Sequence, residues 1–152
     1  MASSAFVYVT YIRTTADKLW TALTDPAFTP KYWFGVRQES DWKVGSAWRL
    51  VFSDGGVADS GEIVECEPPK RLVIKWRNEF RAELKAEGYS RCVIELEPTG
   101  ETVKLSITHS IDRDDSQFIK AVSGGWPMIL SNLKSLLETG AALMSKPSGA
   151  RG

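Results

Sequence analysis

The sequence predicts an α+β fold, a curved six-stranded antiparallel sheet with helices on one face. Three observations predict it. A β-branched and aromatic segment near the start leads into one or two short helical patterns. Five segments of period-two apolar alternation then follow, separated by turn signals. The strongest helical periodicity comes last.

Phe6 to Arg13 (FVYVTYIR) reads as the first strand, since Val, Ile, Tyr and Thr suit a pleated surface. Thr14-Thr15 supplies an N-cap and Asp17 a negative charge in the first turn of a short helix. That helix runs through Leu23, with Ala16, Leu19, Trp20 and Leu23 inward, until Asp25-Pro26 stops it. "AFTPKYWFG" is a further short helical turn, ending in a loop that carries Tyr32, Trp33 and Phe34. "SAWRLVFSDGGVADSGEIVEC" gives two strands joined by Asp54-Gly55-Gly56. Glu67-Pro68-Pro69-Lys70 turns the chain into "RLVIKWR", and a polar loop follows from about Asn78 to Gly88. "YSRCVIELEPTGETVKLSITHS" forms the last hairpin around Pro98-Thr99-Gly100.

Strand phase assigns faces. The charges between them turn Leu72, Ile74 and Trp76 inward, and likewise Cys92, Ile94 and Leu96. Val103, Leu105, Ile107 and His109 form a third inward set, and Trp48, Leu50 and Phe52 a fourth. The segments around Phe6 and Glu62 have no clean phase and receive no face.

"SGGWPMILSNLKSLLETG" closes the pattern, with Trp126, Ile129, Leu130, Leu133, Leu136 and Leu137 on one helical face. Gly124-Gly125 and Pro127 are residues a helix interior disfavours. They predict a break between a short piece, Ser116 to Val122, and a main helix from Pro127 to Thr139, with Pro127 in its first turn.

At 152 residues, 43% hydrophobic and 25% charged, the chain fits a single domain over residues 1–140, with 141–152 as a flexible tail. Nineteen basic and nineteen acidic residues cancel without forming blocks, so neither nucleic acid nor a membrane surface is an expected partner. "MASSAFVYVTYIRTT" has no basic leader and alternates apolar with polar residues, unlike a signal peptide or a membrane span. Cys66 and Cys92 lack ligand spacing and there is one histidine, which argues against zinc. A cytoplasmic setting with reduced thiols, no metal and no cofactor is the expectation.

Four stretches resemble the helix-grip fold of the START-like (Bet v 1-like, SRPBCC) superfamily, in its Hsp90-ATPase-activator-homologue (AHSA1-like) branch. They are "DKLWTALTDPAFTPKYWF", "GEIVECEPPKRLVIKW", "THS" and "GGWPMILSNLKSLLETG", and in order they span about Val7 to Gly140. The resemblance implies that the sheet wraps around the C-terminal helix and that a cavity lies between them. It implies varied uses: some members bind lipids, hormones or polyketides, a few catalyse cyclisation, and the eukaryotic namesakes contact the Hsp90 chaperone.

Six tryptophans are the unusual feature of the composition. The rings of Trp33, Trp48, Phe52, Trp76, Phe80, Phe118 and Trp126 either pack on one another or line part of a pocket. With His109, Ile129 and Leu130 they form the candidate ligand-binding set, and Tyr89 offers a further polar group. His109 points inward and admits two readings, a strand-end histidine bonded to backbone or a general base. Nothing resembling a nucleophile–base–orienter motif or a phosphate loop accompanies it, and no catalytic residue is assigned. Glu62, Glu65 and Glu67 read as a strand's solvent side, and Asp112, Asp114 and Asp115 as helix-capping charge. The expected function is non-enzymatic binding of a hydrophobic or aromatic small molecule, with a stress-related role among the associations, by a monomer or homodimer. The alternatives are a chaperone-linked protein-interaction module and a cyclase- or hydrolase-type enzyme using His109.

Overall fold

The structure, a computed structural model, describes residues 3–146. Its strands are β1 (Ser4–Ile12), β2 (Arg37–Ser40), β3 (Ala47–Val51), β4 (Val57–Glu67), β5 (Arg71–Asn78), β6 (Ser90–Thr99) and β7 (Thr102–Ile111). Every neighbouring pair is antiparallel, in the order β1-β7-β6-β5-β4-β3-β2. The helices are α1 (Ala16–Thr24), α2 (Ala82–Lys85) and α3 (Gln117–Thr139), with a 3-10 turn at Thr29–Lys31. This is the α+β helix-grip arrangement, a curved sheet around a long C-terminal helix, with seven strands where six were expected. The seventh, β2, has the sequence RQES and no apolar alternation. Only Gln38 among its four residues is buried, and that side chain is polar, so hydrophobicity gives no signal there.

Two further expectations are corrected. The segment expected to be a polar loop from about Asn78 to Gly88 contains α2, anchored by the buried Leu84. And α3 is one helix of 23 residues that runs through Gly124, Gly125 and Pro127 without interruption. Proline removes one backbone N–H and glycine weakens helical preference by about 1 kcal/mol, but tertiary packing of an amphipathic face outweighs both. Ser116 caps the helix by accepting from Ile119 N at 3.0 Å. Glu87 reinforces that end, accepting from Gln117 N at 2.9 Å and from the Ser116 hydroxyl. Gly140, at φ 90°, closes the other end in the left-handed conformation that a helix C-terminus favours. Beyond it, the buried Asn132 exchanges hydrogen bonds with Met144 N and O. Of the tail expected to be flexible, residues 147–152 lie outside the described residues.

The four phased sets face the core as expected, and only Phe52, just past the end of β3, stays half-buried. The two unphased segments have separate explanations. Strand β1 is apolar on both sides: Phe6, Tyr8 and Ile12 pack inward while Val7, Val9 and Tyr11 are exposed. Strand β4 has an irregularity between Ile63 and Glu65 that shifts its phase midway. Before the shift, its inward side is Asp59, Gly61 and Ile63.

Gly61 pairs with Trp48 on β3 and Trp76 on β5. The row therefore reads indole, bare backbone, indole, and the two rings meet over the glycine with centroids 4.4 Å apart. A Cβ built on Gly61 would lie 1.6 Å from the Lys75 carbonyl oxygen, so β4 and β5 could not keep this approach. Gly61→Ala is expected to destabilise the fold by roughly 1–3 kcal/mol or more, read from the midpoint of urea unfolding.

Candidate functional site

Helix α3 packs closest to β1 and β7. Toward the other edge of the sheet, on the same inner face over β3 to β5, the first half of the helix is held off by indoles. A pocket of about 220 Å³ remains between them. For scale, an apolar cavity of about 150 Å³ suffices for benzene. Trp33, Trp76 and Trp126 form its aromatic wall, α3 contributes Phe118, Val122 and Gly125, and Leu84 of α2 and Phe80 close one side.

Each fully buried indole N–H has a side-chain acceptor. Trp48 Nε1 donates to Gln38 Oε1 at 2.9 Å, and Gln38 in turn donates to the Leu23 carbonyl. Trp76 Nε1 donates to Asp59 Oδ2 at 2.7 Å. Trp126 Nε1 donates to His109 Nδ1 at 3.1 Å. These bonds lock the rings into a cluster in which Trp126 lies 5.3 Å from Trp33 and 5.7 Å from Trp76, centroid to centroid.

Of the ten candidate ligand-binding residues, Trp33, Trp76, Phe80, Phe118, Trp126 and Ile129 line the pocket. The other four do not. Trp48 is packed behind Trp76, Phe52 meets Phe80 edge-on from outside, Leu130 faces the core, and His109 stands behind Trp126. Tyr89 is also elsewhere: it lies on the outer face, its ring 4.7 Å from Lys75 Nζ and from Arg77 Cζ.

His109 departs from both sequence readings. Its ring nitrogens bind side chains, not backbone. Since Nδ1 accepts from the indole, the proton sits on Nε2 and is donated to Ser90 Oγ at 2.9 Å. The Ser90 hydroxyl in turn donates a hydrogen bond to the Trp76 carbonyl at 2.8 Å. Burial lowers the ring's pKa to about 3, which keeps it neutral, and no lone pair is left for a proton from a substrate.

Two polar residues that the sequence reading did not single out also line the pocket. Asp59 and Asn78 face each other in register across β4 and β5. Asp59 is 7% exposed, and its Oδ1 has no hydrogen-bond partner among the described residues. Asn78 is 5% exposed; its Oδ1 accepts from Arg81 N, and its Nδ2 likewise has no partner there. Asp59 was legible only as an acidic residue in a strand of uncertain phase, and Asn78 only as the start of a loop. Among the described residues, no group of three or more His, Cys, Asp or Glu is placed to hold a metal ion. No helix there is long and apolar enough to cross a membrane.

Comparison with known proteins places this geometry. The sequence profile described as Activator of Hsp90 ATPase homolog 1-like protein matches residues 13–138. No curated protein matches the chain. In structure the chain is similar to CalU16 from Micromonospora echinospora, at 24% identity over 91% of this chain and 78% of that one, with a TM-score of 0.73. It is similar to an Hsp90 activator from Plasmodium falciparum, at 24% identity over 88% and 95% of the two chains, TM-score 0.71. A third likeness is to the Aha1 dimer from Colwellia psychrerythraea, at 20% identity over 90% and 98%, TM-score 0.72. At these identities the structural likeness establishes the fold.

Burial raises the Asp59 carboxyl to about 7, against the lowering effect of the Trp76 N–H, and the Glu79 charge adds to the rise. An unfolded chain ionises the same group near 3.8. Between those values the native state holds the proton and the unfolded state does not. This contribution to stability is therefore full below about pH 4 and is lost as pH rises through 7. Asp59→Asn removes that slope: the variant should match the wild type near pH 4 and exceed it by on the order of 2–4 kcal/mol at pH 9. Urea unfolding across pH measures this, and parallel curves for the two proteins would show that the carboxyl is not buried in this way.

Proposed function

The chain belongs to the Activator of Hsp90 ATPase homolog 1-like family, and from that premise we propose that it is a binding protein for a small hydrophobic or aromatic molecule held beneath the first half of α3. The observation that carries this reading is the pocket itself. Three indoles whose N–H groups are tied elsewhere, or whose neighbours are, bound a space they cannot collapse into. An apolar wall with a few polar groups at one end is the usual make-up of a small-molecule site. At about 25 cal/mol per Å² of apolar area removed from water, less the costs of association, a guest of one or two rings binds in the micromolar to millimolar range.

Gly125 supports the reading further. It lines the pocket from the middle of a helix, where glycine costs stability, yet a Cβ there would meet nothing within 4 Å. Packing does not demand a glycine at this position. Its effect is to leave the space open.

The alternatives have less behind them. A cyclase or hydrolase based on His109 lacks a free ring nitrogen. A chaperone-linked contact role has the exposed Val7, Val9 and Tyr11 of β1 on its side. Elsewhere on that outer face several charges are paired with one another, as in Arg71 with Glu65 and Glu95.

Gly125→Phe is the direct test, because the new ring enters the pocket without backbone strain. Intrinsic tryptophan fluorescence during titration with fatty acids, flavonoids and polyketides should give a saturable change in the wild type for at least one class. The variant should bind that compound about tenfold more weakly or worse while keeping its melting temperature, since replacing a helical glycine favours the helix by up to about 1 kcal/mol. No saturable change with any class, or equal binding by the variant, would end the reading.

A further inference from the structure

The polar end of the pocket says more about the guest than its apolar wall does. Among the described residues no lysine, arginine or histidine lines the space, and the one charged side chain there is Asp59. One carboxylate oxygen, Oδ2, is held by Trp76; the other, Oδ1, has no partner among the described residues, although the side chain is more than nine-tenths buried. A buried carboxylate oxygen without a donor is an unmet demand. The same pocket is walled by Trp33, Trp76 and Trp126, and the faces of indole rings carry negative electrostatic potential and attract cations.

We propose that the ligand is an organic amine bound as its cation, with the ammonium on Asp59 Oδ1 and the apolar body among Trp33, Trp76 and Trp126. The proposal rests on the pocket being a ligand site and narrows the chemistry of what it takes. Carboxylate and indoles act in the same direction. The carboxylate receives a charge-assisted hydrogen bond that water cannot easily replace in a buried site. The indole faces favour the same positive charge and repel an acid. Asn78 Nδ2, opposite Asp59 in register, adds one donor for an oxygen on the ligand.

The charged groups around Asp59 leave this preference intact. Glu79, which follows β5, is a second negative charge nearby, and it is held in place by Ser60, Arg77 and Lys85. The residues of α3 that face the pocket are uncharged, as are Leu50 from β3, Leu84 from α2 and Trp33. His109, behind Trp126, is neutral. No cation competes for Oδ1 among the described residues. Binding an ammonium requires Asp59 to be ionised, so the guest displaces the carboxyl proton in the pH range where the empty site retains it.

Isothermal titration calorimetry of the full chain with three matched compounds tests this: 2-(2-naphthyl)ethylamine, 2-(2-naphthyl)ethanol and 2-naphthylacetic acid. At pH 8 the wild type should bind the amine about tenfold or more tighter than the alcohol, with the acid weakest. In Asp59→Asn the amine should fall to the alcohol's level while the alcohol is little changed. If that variant fails to fold, the wild type decides alone: amine affinity should climb by up to about tenfold per pH unit below pH 7, while alcohol affinity stays level. An alcohol or acid that binds the wild type as tightly as the amine overturns the proposal and leaves the pocket reading standing, provided Gly125→Phe abolishes that binding. No binding of any of the three overturns this proposal, while the pocket reading is decided separately by the fluorescence titrations and Gly125→Phe.

Discussion

A buried indole N–H that finds no acceptor costs about 1–3 kcal/mol, and among the described residues three buried indole N–H groups of one cluster each find one. The solutions come from three different strands. Gln38 of β2 serves Trp48, Asp59 of β4 serves Trp76, and His109 of β7 serves Trp126. Each bond fixes a ring's orientation as well as satisfying its donor. The remainder of the cluster follows from those orientations. Trp33, whose indole sits against Trp76 and Trp126, completes the wall, and the bare backbone of Gly61 lets Trp48 and Trp76 meet across a strand. Rings held in this way cannot rotate to fill the space beneath α3.

The same arrangement carries a cost in stability. Asp59 satisfies Trp76 and leaves an oxygen in a buried setting that disfavours its charge. Asparagine would accept the same indole proton without that penalty. Gly125 likewise weakens a helix whose packing does not ask for it. Both residues face the pocket, and the proposed binding role gives both costs one physical reason. His109 is the contrast. Polar and buried, it resembles a catalytic residue by type, yet its two bonds and its neutrality make it a spacer between Trp126 and Ser90.

Parts of this site could be read directly from the chain. Alternation of charge with apolar residues in β5, β6 and β7 assigned Trp76 and His109 to the inner face, and helical periodicity assigned Trp126 and Ile129. Those residues announce themselves because hydrophobic patterning is a local signal. Strand β2 announces nothing, since its one buried residue is a glutamine whose role is to bridge Leu23 and Trp48 across the fold. Asp59 was hidden for a different reason. The irregularity after Ile63 reverses the phase of β4, so a pattern taken over the whole strand averages to none. The continuity of α3 through Gly124, Gly125 and Pro127 went against residue preference because the helix gains more from its buried face than those residues lose.

The sequence by itself determined the fold class, the order of the six strands with apolar patterning, α1 and the C-terminal helix, and which faces of the regular strands turn inward, because each of these depends on periodicities of two or 3.6 residues within a short window. It also determined that aromatic rings would dominate the interior. Only the tertiary structure decided that some of those rings interlock while others enclose a space, and that a carboxylate and an amide meet at one end of it. Those outcomes depend on distances between residues far apart in the chain, such as Asp59, Trp76 and Trp126, and on hydrogen bonds whose partners no local pattern names.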